Sequence, residues 1–405
     1  MKVAHLNGLP KDDELMVNKI ESLPPHLTNK NIFERHPKKT IILSIIIFFF
    51  LVEVTGHFIY YFTHDRCFVF NKVDFVKFTP YGLVEYKANA TIRLPGLPAP
   101  LETDQYGFVH NGYKRAIGPD EYLIFIVGGS TVEGRGASSN ATTIAAYLEK
   151  LLNQQSGKTR FRVVNAAVCG FMSYEELSFI DGKILQNFQP QMIIALDGRN
   201  DAQYAVSHRE WKLNWMPYYD QLTVDVNKNM EPGLGIMVDL VKRYSIIAAV
   251  FGKIREKIVH LNKNDFSQET IPSDERIAAA AKAYVVNHQV IHERLNLYGI
   301  KYYFFLQPTL ATFLKHSISP VEANVMREWG SQYKNSDIYF VGLEKYYQAV
   351  IKRAENLAFF DDLSTLFLDR DEKVYVDICH YSDIGNYIIA QALARKLRLQ
   401  LANLQ

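Results

Sequence analysis

Cysteine is scarce: Cys67, Cys169 and Cys379 are the only three in 405 residues. Three thiols cannot build a disulfide framework, so at most one bridge is open to the chain, and each reads by default as a buried, unpaired thiol. Charge of one sign is also nearly missing. The 45 Lys and Arg stand against 43 Asp and Glu, a net +2 at pH 7, which gives no global basic field and argues against a nucleic-acid partner. No GxxxxGK[ST] phosphate loop, clustered CxxC or HExxH spacing occurs, which removes several nucleotide- and zinc-dependent enzyme classes; no cofactor and no metal is expected. Internal repeats are absent too. What remains is globular, 48% hydrophobic and 22% charged, and long enough for one large or two ordinary domains.

Long apolar runs are missing except in one place. Residues 40–62 read TIILSIIIFFFLVEVTGHFIYYF, uninterrupted only from Ile41 to Val52 but long enough over their full 23 residues to cross a bilayer core of about 30 Å. Glu53 and His57 are costly in lipid and belong towards one interface. About 40 residues precede the run and no small-residue cleavage site follows, unlike a cleaved signal peptide. Arg35, Lys38 and Lys39 flank one side and Asp65 and Arg66 the other, so the positive-inside rule favours a cytoplasmic N-terminus. The expectation is a single-pass signal anchor over 40–62, its partner the membrane, with a flexible cytoplasmic tail over 1–38. The rest of the chain then lies on the extracytoplasmic side, periplasmic or lumenal.

Residues 64–118, rich in aromatic and β-branched residues and broken by Pro and Gly, predict an extended pre-domain segment of strands and turns. From Tyr122 the pattern changes. Apolar strands are predicted at 122–129, 161–168, 191–198 and 300–308, separated by helical stretches; one such helix starts at the N-cap Ser273 and stops at Gly299. Continuous apolar strands alternating with helices indicate a parallel sheet covered on both faces, which takes its ligands beyond the carboxyl ends of its strands.

Those ends carry the candidate chemistry. The first strand runs into Gly128-Gly129-Ser130-Thr131, the second into Asn165 to Gly170, and the third into Gly198-Arg199-Asn200-Asp201. Near the C-terminus Asp377 stands three residues before His380, ahead of a final helix. Serine is a poor nucleophile until a base takes its proton; histidine suits that task, and a carboxylate on its other nitrogen fixes the tautomer. Backbone N–H groups at Ser130 and Gly170 and the Asn200 amide can serve the developing oxyanion. Taken singly each block has an ordinary explanation: a structural glycine turn, or Asp201 capping a helix. Four in order are specific.

The four blocks together resemble the SGNH hydrolases of the GDSL esterase superfamily over residues 119–400. The resemblance implies a flavodoxin-like three-layer α/β/α sandwich with a central parallel sheet, here preceded by one transmembrane helix. It implies Ser130 as nucleophile, His380 as base, Asp377 as its orienter, and Ser130, Gly170 and Asn200 as the oxyanion hole. The first block departs from the family pattern, reading GGST where GDS is usual, but keeps the serine and its turn. The implied activity is a membrane-anchored serine esterase that removes short acyl groups, acetyl above all, from a carbohydrate or related ester. An O-acyltransferase using the same triad and a non-catalytic envelope or assembly protein of the same fold are the alternatives.

A Cys169–Cys379 bridge is conceivable beside the site, though two thiols turned into the core are expected. The stretch 202–273 exceeds a simple connection and is a candidate cap insertion, with Trp211 and Trp215 as sugar-stacking or core residues. Its second half, rich in Lys and Arg, suits either a helix on the sheet or a surface on lipid headgroups. Asn89-Ala90-Thr91 and Asn140-Ala141-Thr142 match the glycosylation acceptor pattern.

Overall fold

A computed structural model describes residues 32–64, 75–79, 83–93, 98–154, 159–206, 244–251, 254, 273–312, 318–332, 336–368 and 370–401. Cys67, Trp211, Trp215 and most of the candidate cap lie outside the described residues. Two compact units emerge, residues 1–71 with 237–255, and the remainder.

In the first unit, helix α1 (Pro37–His64) holds a 27-residue span, with an 18-residue window of mean hydropathy 2.3, that is long and apolar enough to cross a membrane. Its one carboxylate is not left bare. Glu53 accepts hydrogen bonds from the backbone N–H groups of Ile246 (2.6 Å) and Ile247 (3.1 Å) and from the Ser245 hydroxyl (3.0 Å), and lies 3.3 Å from His57 one turn away. These are orphan donors at the start of a short helical stretch, 246–251, which an anion satisfies well. The stretch therefore packs on α1 within this unit, at Gly56, where any Cβ would lie 3.1 Å from Ile246.

The second unit begins with two antiparallel ribbons, β1 (Val76–Thr79) with β2 (Leu83–Tyr86) and β3 (Thr91–Ile92) with β4 (Leu101–Glu102). The main sheet holds β5 (Glu121–Gly128), β6 (Arg160–Asn165), β7 (Met192–Asp197), β8 (Lys301–Leu306) and β9 (Phe360–Asp362) in the order β6-β5-β7-β8-β9. All four pairings are parallel, as in a flavodoxin-like three-layer α/β/α fold. Four strands lie within a few residues of their predicted spans. The fifth, three half-buried residues long, has no sequence signature.

Helices fill in around the sheet: α2 (Ser130–Glu133), α3 (Ile144–Asn153), α4 (Ser173–Phe179), α5 (Arg199–Val206), α6 (Asp274–Asn296), α7 (Pro320–Gln332), α8 (Ser336–Ala354) and α9 (Asp383–Leu401). Strand alternation sorts the core into two layers. Ile124, Ile126, Ile194 and Phe305 pack with α3 and α9, while Phe125, Val127, Ile193 and Phe304 pack with α5, α6 and α8. The Ser273 side chain caps α6 by accepting from Arg276 N, and Gly299, at φ +68°, follows its end, as the sequence predicts. Asn140 is no glycan acceptor in this fold: its buried amide bonds Glu102 N, Glu102 O and His110 O, linking β4 to the loop before α3.

Candidate active site

Sheet order alone locates the site. β5 lies between β6 and β7, so the β5-to-β6 and β6-to-β7 connections lie on opposite faces of the sheet and open a crevice at the carboxyl end of β5. Ser130 stands there as the first residue of α2, where its backbone N–H has no helical acceptor. Asn200 leaves the neighbouring β7, and Gly170 the turn after β6.

The four sequence blocks meet. Ser130 Oγ lies 2.7 Å from His380 Nε2, although 250 residues separate them. On the other side of the ring, His380 Nδ1 is 2.5 Å from Asp377 Oδ2. Asp377 is itself fixed, its Oδ1 accepting the backbone N–H groups of Cys379 (2.9 Å) and His380 (2.8 Å). This local turn, on the loop before α9, is why a spacing of three suffices.

Burial disfavours both charges, but the pair outweighs it. The imidazolium and the two N–H donors hold the Asp377 carboxyl well below the usual carboxylate range. Burial lowers His380, whereas the Cys379 sulfur and the Asp377 carboxylate raise it further, up to about 10. Asp377, Cys379 and His380 offer donor atoms within 4.8 Å of one another. Both imidazole nitrogens are nevertheless engaged, one with Ser130 and one with Asp377, which ill suits them to holding an ion.

Across the crevice, the chain from Val168 to Phe171 turns through a Phe171 N to Val168 O bond (3.1 Å) with Gly170 at φ +86°, a conformation that favours glycine. Among the described residues the Gly170 N–H has no protein acceptor. The Asn200 amide donates one hydrogen to Phe171 O (2.7 Å), which leaves its second for a ligand. A Cβ at Gly129 would come within 2.5 Å of that amide nitrogen, so the GGST departure makes room for Asn200 beside Ser130. Asp201 caps no turn of its own: it accepts from the Ser173 hydroxyl (2.7 Å) and joins the second and third blocks.

Sequence reasoning missed three neighbours. Arg135 sets its Nη1 3.9 Å from the Cys169 sulfur and is coupled electrostatically to Asp377 and Cys379. Glu133, one turn after Ser130, is fully buried, and Tyr86 reaches it from β2. Cys169 and Cys379 are not bridged to each other, and both sulfurs face site residues rather than the core alone.

No protein-family model and no curated protein matches the chain. Among solved structures it is similar to the acetyl xylan esterase AlAXEase (13% identity, 68% of this chain and 99% of that one, TM-score 0.37). An acetylxylan esterase from Geobacillus stearothermophilus, solved as a catalytic mutant, is also similar (15% identity, 70% and 96% covered, TM-score 0.37). So is the lipase/acylhydrolase from Enterococcus faecalis (12% identity, 69% and 96% covered, TM-score 0.35).

Proposed function

We propose that this chain is a serine ester hydrolase of the SGNH type, with Ser130, His380 and Asp377 as its triad. The observation that carries this is the unbroken contact Ser130 Oγ–His380 Nε2 and His380 Nδ1–Asp377 Oδ2, facing the unused donors of Gly170 and Asn200. His380 takes the Ser130 proton as Oγ attacks the ester carbonyl carbon. The tetrahedral oxyanion is held by the N–H groups of Ser130 and Gly170 and by the Asn200 amide. His380 returns the proton to the leaving alkoxide, and the C–O bond breaks to give acyl-Ser130 and an alcohol. Water, deprotonated by His380, then attacks the acyl carbon; the acid departs and Ser130 regains its proton.

The substrate we propose is a short acyl ester, acetyl in the first instance, on an extracytoplasmic carbohydrate. α1 would tether the enzyme to the membrane with the N-terminus in the cytoplasm. The bonds that Glu53 accepts support this assignment, because they meet the charge that otherwise argues against a span.

The test is turnover of p-nitrophenyl acetate and longer-chain esters by the full chain in detergent. Ser130→Ala should abolish both turnover and fluorophosphonate labelling. Acetate release from an acetylated polysaccharide checks the substrate. Absence of labelling in the unaltered chain overturns the hydrolase assignment, and faster loss of the acetyl donor when sugar acceptors are added favours the transferase.

A further inference from the structure

A turn has a weak point that its own geometry creates. In the Val168–Phe171 turn the N–H of the second residue, Cys169, has no partner within the turn, and Cys169 is 4% exposed. A buried backbone donor must find an acceptor outside. That acceptor comes from the pre-domain ribbon: the Tyr86 hydroxyl oxygen takes the Cys169 N–H at 3.1 Å. With Cys169 satisfied, the adjacent Gly170 N–H is the one left for a ligand.

The Tyr86 hydroxyl has one hydrogen of its own, and it donates that hydrogen to Glu133 Oε1. Glu133 closes α2, the helix that opens with Ser130, and is 0% exposed. Its Oε1 accepts from Tyr86 while Oε2 has no hydrogen-bond partner among the described residues. Burial pushes the carboxyl up to about 7, with Tyr86, Arg135 and His380 pulling the other way. One hydroxyl therefore bridges the helix of the nucleophile and the turn of the oxyanion donor, from a residue 47 positions before the first and 83 before the second.

The ribbon that delivers Tyr86 is pinned. Tyr86 itself is 1% exposed and packs on Phe75, with ring centroids 6.2 Å apart. Next to it, Glu85 is buried in an ion pair with Lys183 (2.7 Å), and Lys183 is itself buried beside Phe108 and Phe179. A clamp this rigid is more than the turn needs for stability. It suits a group whose position must hold to a fraction of an ångström.

We infer that Tyr86 and Glu133 are positioning residues for the oxyanion hole, fixing the Gly170 N–H relative to Ser130 through the Cys169–Tyr86–Glu133 bridge. The pre-domain ribbon thereby becomes part of the active site without touching substrate. This rests on the ester-hydrolase reading above.

The experiment is steady-state kinetics on p-nitrophenyl acetate with the full chain in detergent, each value normalised to sites titrated by a fluorophosphonate. Tyr86→Phe keeps the ring and removes the bridge. The expected result is a kcat per titrated site lower by about tenfold or more, with KM within about twofold, and a parallel loss of affinity for a boronate that mimics the tetrahedral state. Glu133→Leu should show the same split, Glu133→Gln should restore most of the lost kcat because it keeps an acceptor, and the Tyr86→Phe/Glu133→Leu double variant should be no worse than either single one. A purely structural role would lower the titrated fraction and leave kcat per site unchanged; that outcome overturns the inference, as does a change confined to KM. Should Tyr86→Phe fail to fold, the Glu133→Leu and Glu133→Gln pair decides by the same criteria. If the unaltered chain turns over and loses activity on Ser130→Ala while all bridge variants match it, the positioning role alone falls. If the unaltered chain is inert, both fall together.

Discussion

The Cys379 sulfur lies 3.7 Å from Nδ1 of His380, the same nitrogen that engages Asp377. The Cys379 sulfur and the Asp377 carboxylate both raise this imidazole. The rise in His380 from its ordinary 6.5 carries a direct kinetic sign. In the proposed mechanism His380 must be neutral to accept the Ser130 proton, so a raised value moves the acidic limb of kcat/KM to higher pH. We expect the limb above pH 6.5, and Cys379→Ala should shift it towards acid with the plateau rate little changed. A pH–rate profile of the two proteins checks this; coincident limbs would remove Cys379 from the electrostatics.

In the proposed mechanism Asp377 acts on the ring from outside the reaction. Asp377→Asn can still accept the two backbone N–H groups, so the loop should keep its shape, while the amide offers a donor to Nδ1 and selects the wrong tautomer. The expected loss is about 10³–10⁴ in kcat with an unchanged melting temperature, measured by initial rates beside a thermal melt.

Asn200 and Gly129 form a matched pair. Asn200→Ala removes a donor and should lower kcat by about 10²–10³ with little change in KM. Gly129→Ala should cost less, because it displaces the Asn200 amide rather than deleting it. Combined with Asn200→Ala it should add almost nothing. Full additivity in this cycle would show that the two act apart.

Stability should depend on pH in an unusual direction. Burial pushes Glu133, Glu175 and Asp201 up to about 7 from ordinary values of 4.5 or 3.8, and raises Glu176 well above its ordinary range. Between the ordinary and raised values the folded chain holds more protons than the unfolded one, so stability falls as pH rises from about 4.5 to 7. Below about 4 the sign reverses, since Asp377 and Asp197 are held low by partners that a proton would displace. The melting temperature should therefore peak at about pH 4 to 4.5 and drop on the order of 5 °C by pH 8. A flat profile would mean that these carboxyls reach water.

Much of this site is legible in the sequence because each block marks its own place. A strand that ends in Gly-Gly-Ser or Gly-Arg-Asn-Asp announces both the loop and the side chain it carries, and Asp377 reaches His380 through a single local turn. Tyr86 gives no such signal. It reads as one more aromatic in a β-rich stretch, and its role arises only because the fold sets it against a turn 83 residues away. Glu133 is hidden for a related reason, since a carboxylate one turn into a helix ordinarily faces water. β9 escapes because its ladder with β8 is short and its sequence, Phe360-Asp361-Asp362, carries no alternation to detect.

The 250-residue span between Ser130 and His380 also orders events in time. On the ribosome the apolar helix Pro37–His64 is made before Ser130, and Ser130 before His380. In the proposed function the serine is an ordinary alcohol throughout that interval, with no base to accept its proton. The chain would therefore be committed to its membrane before it could cut anything, and the power to cleave esters would arrive only when the loop of Asp377 and His380 reaches Ser130.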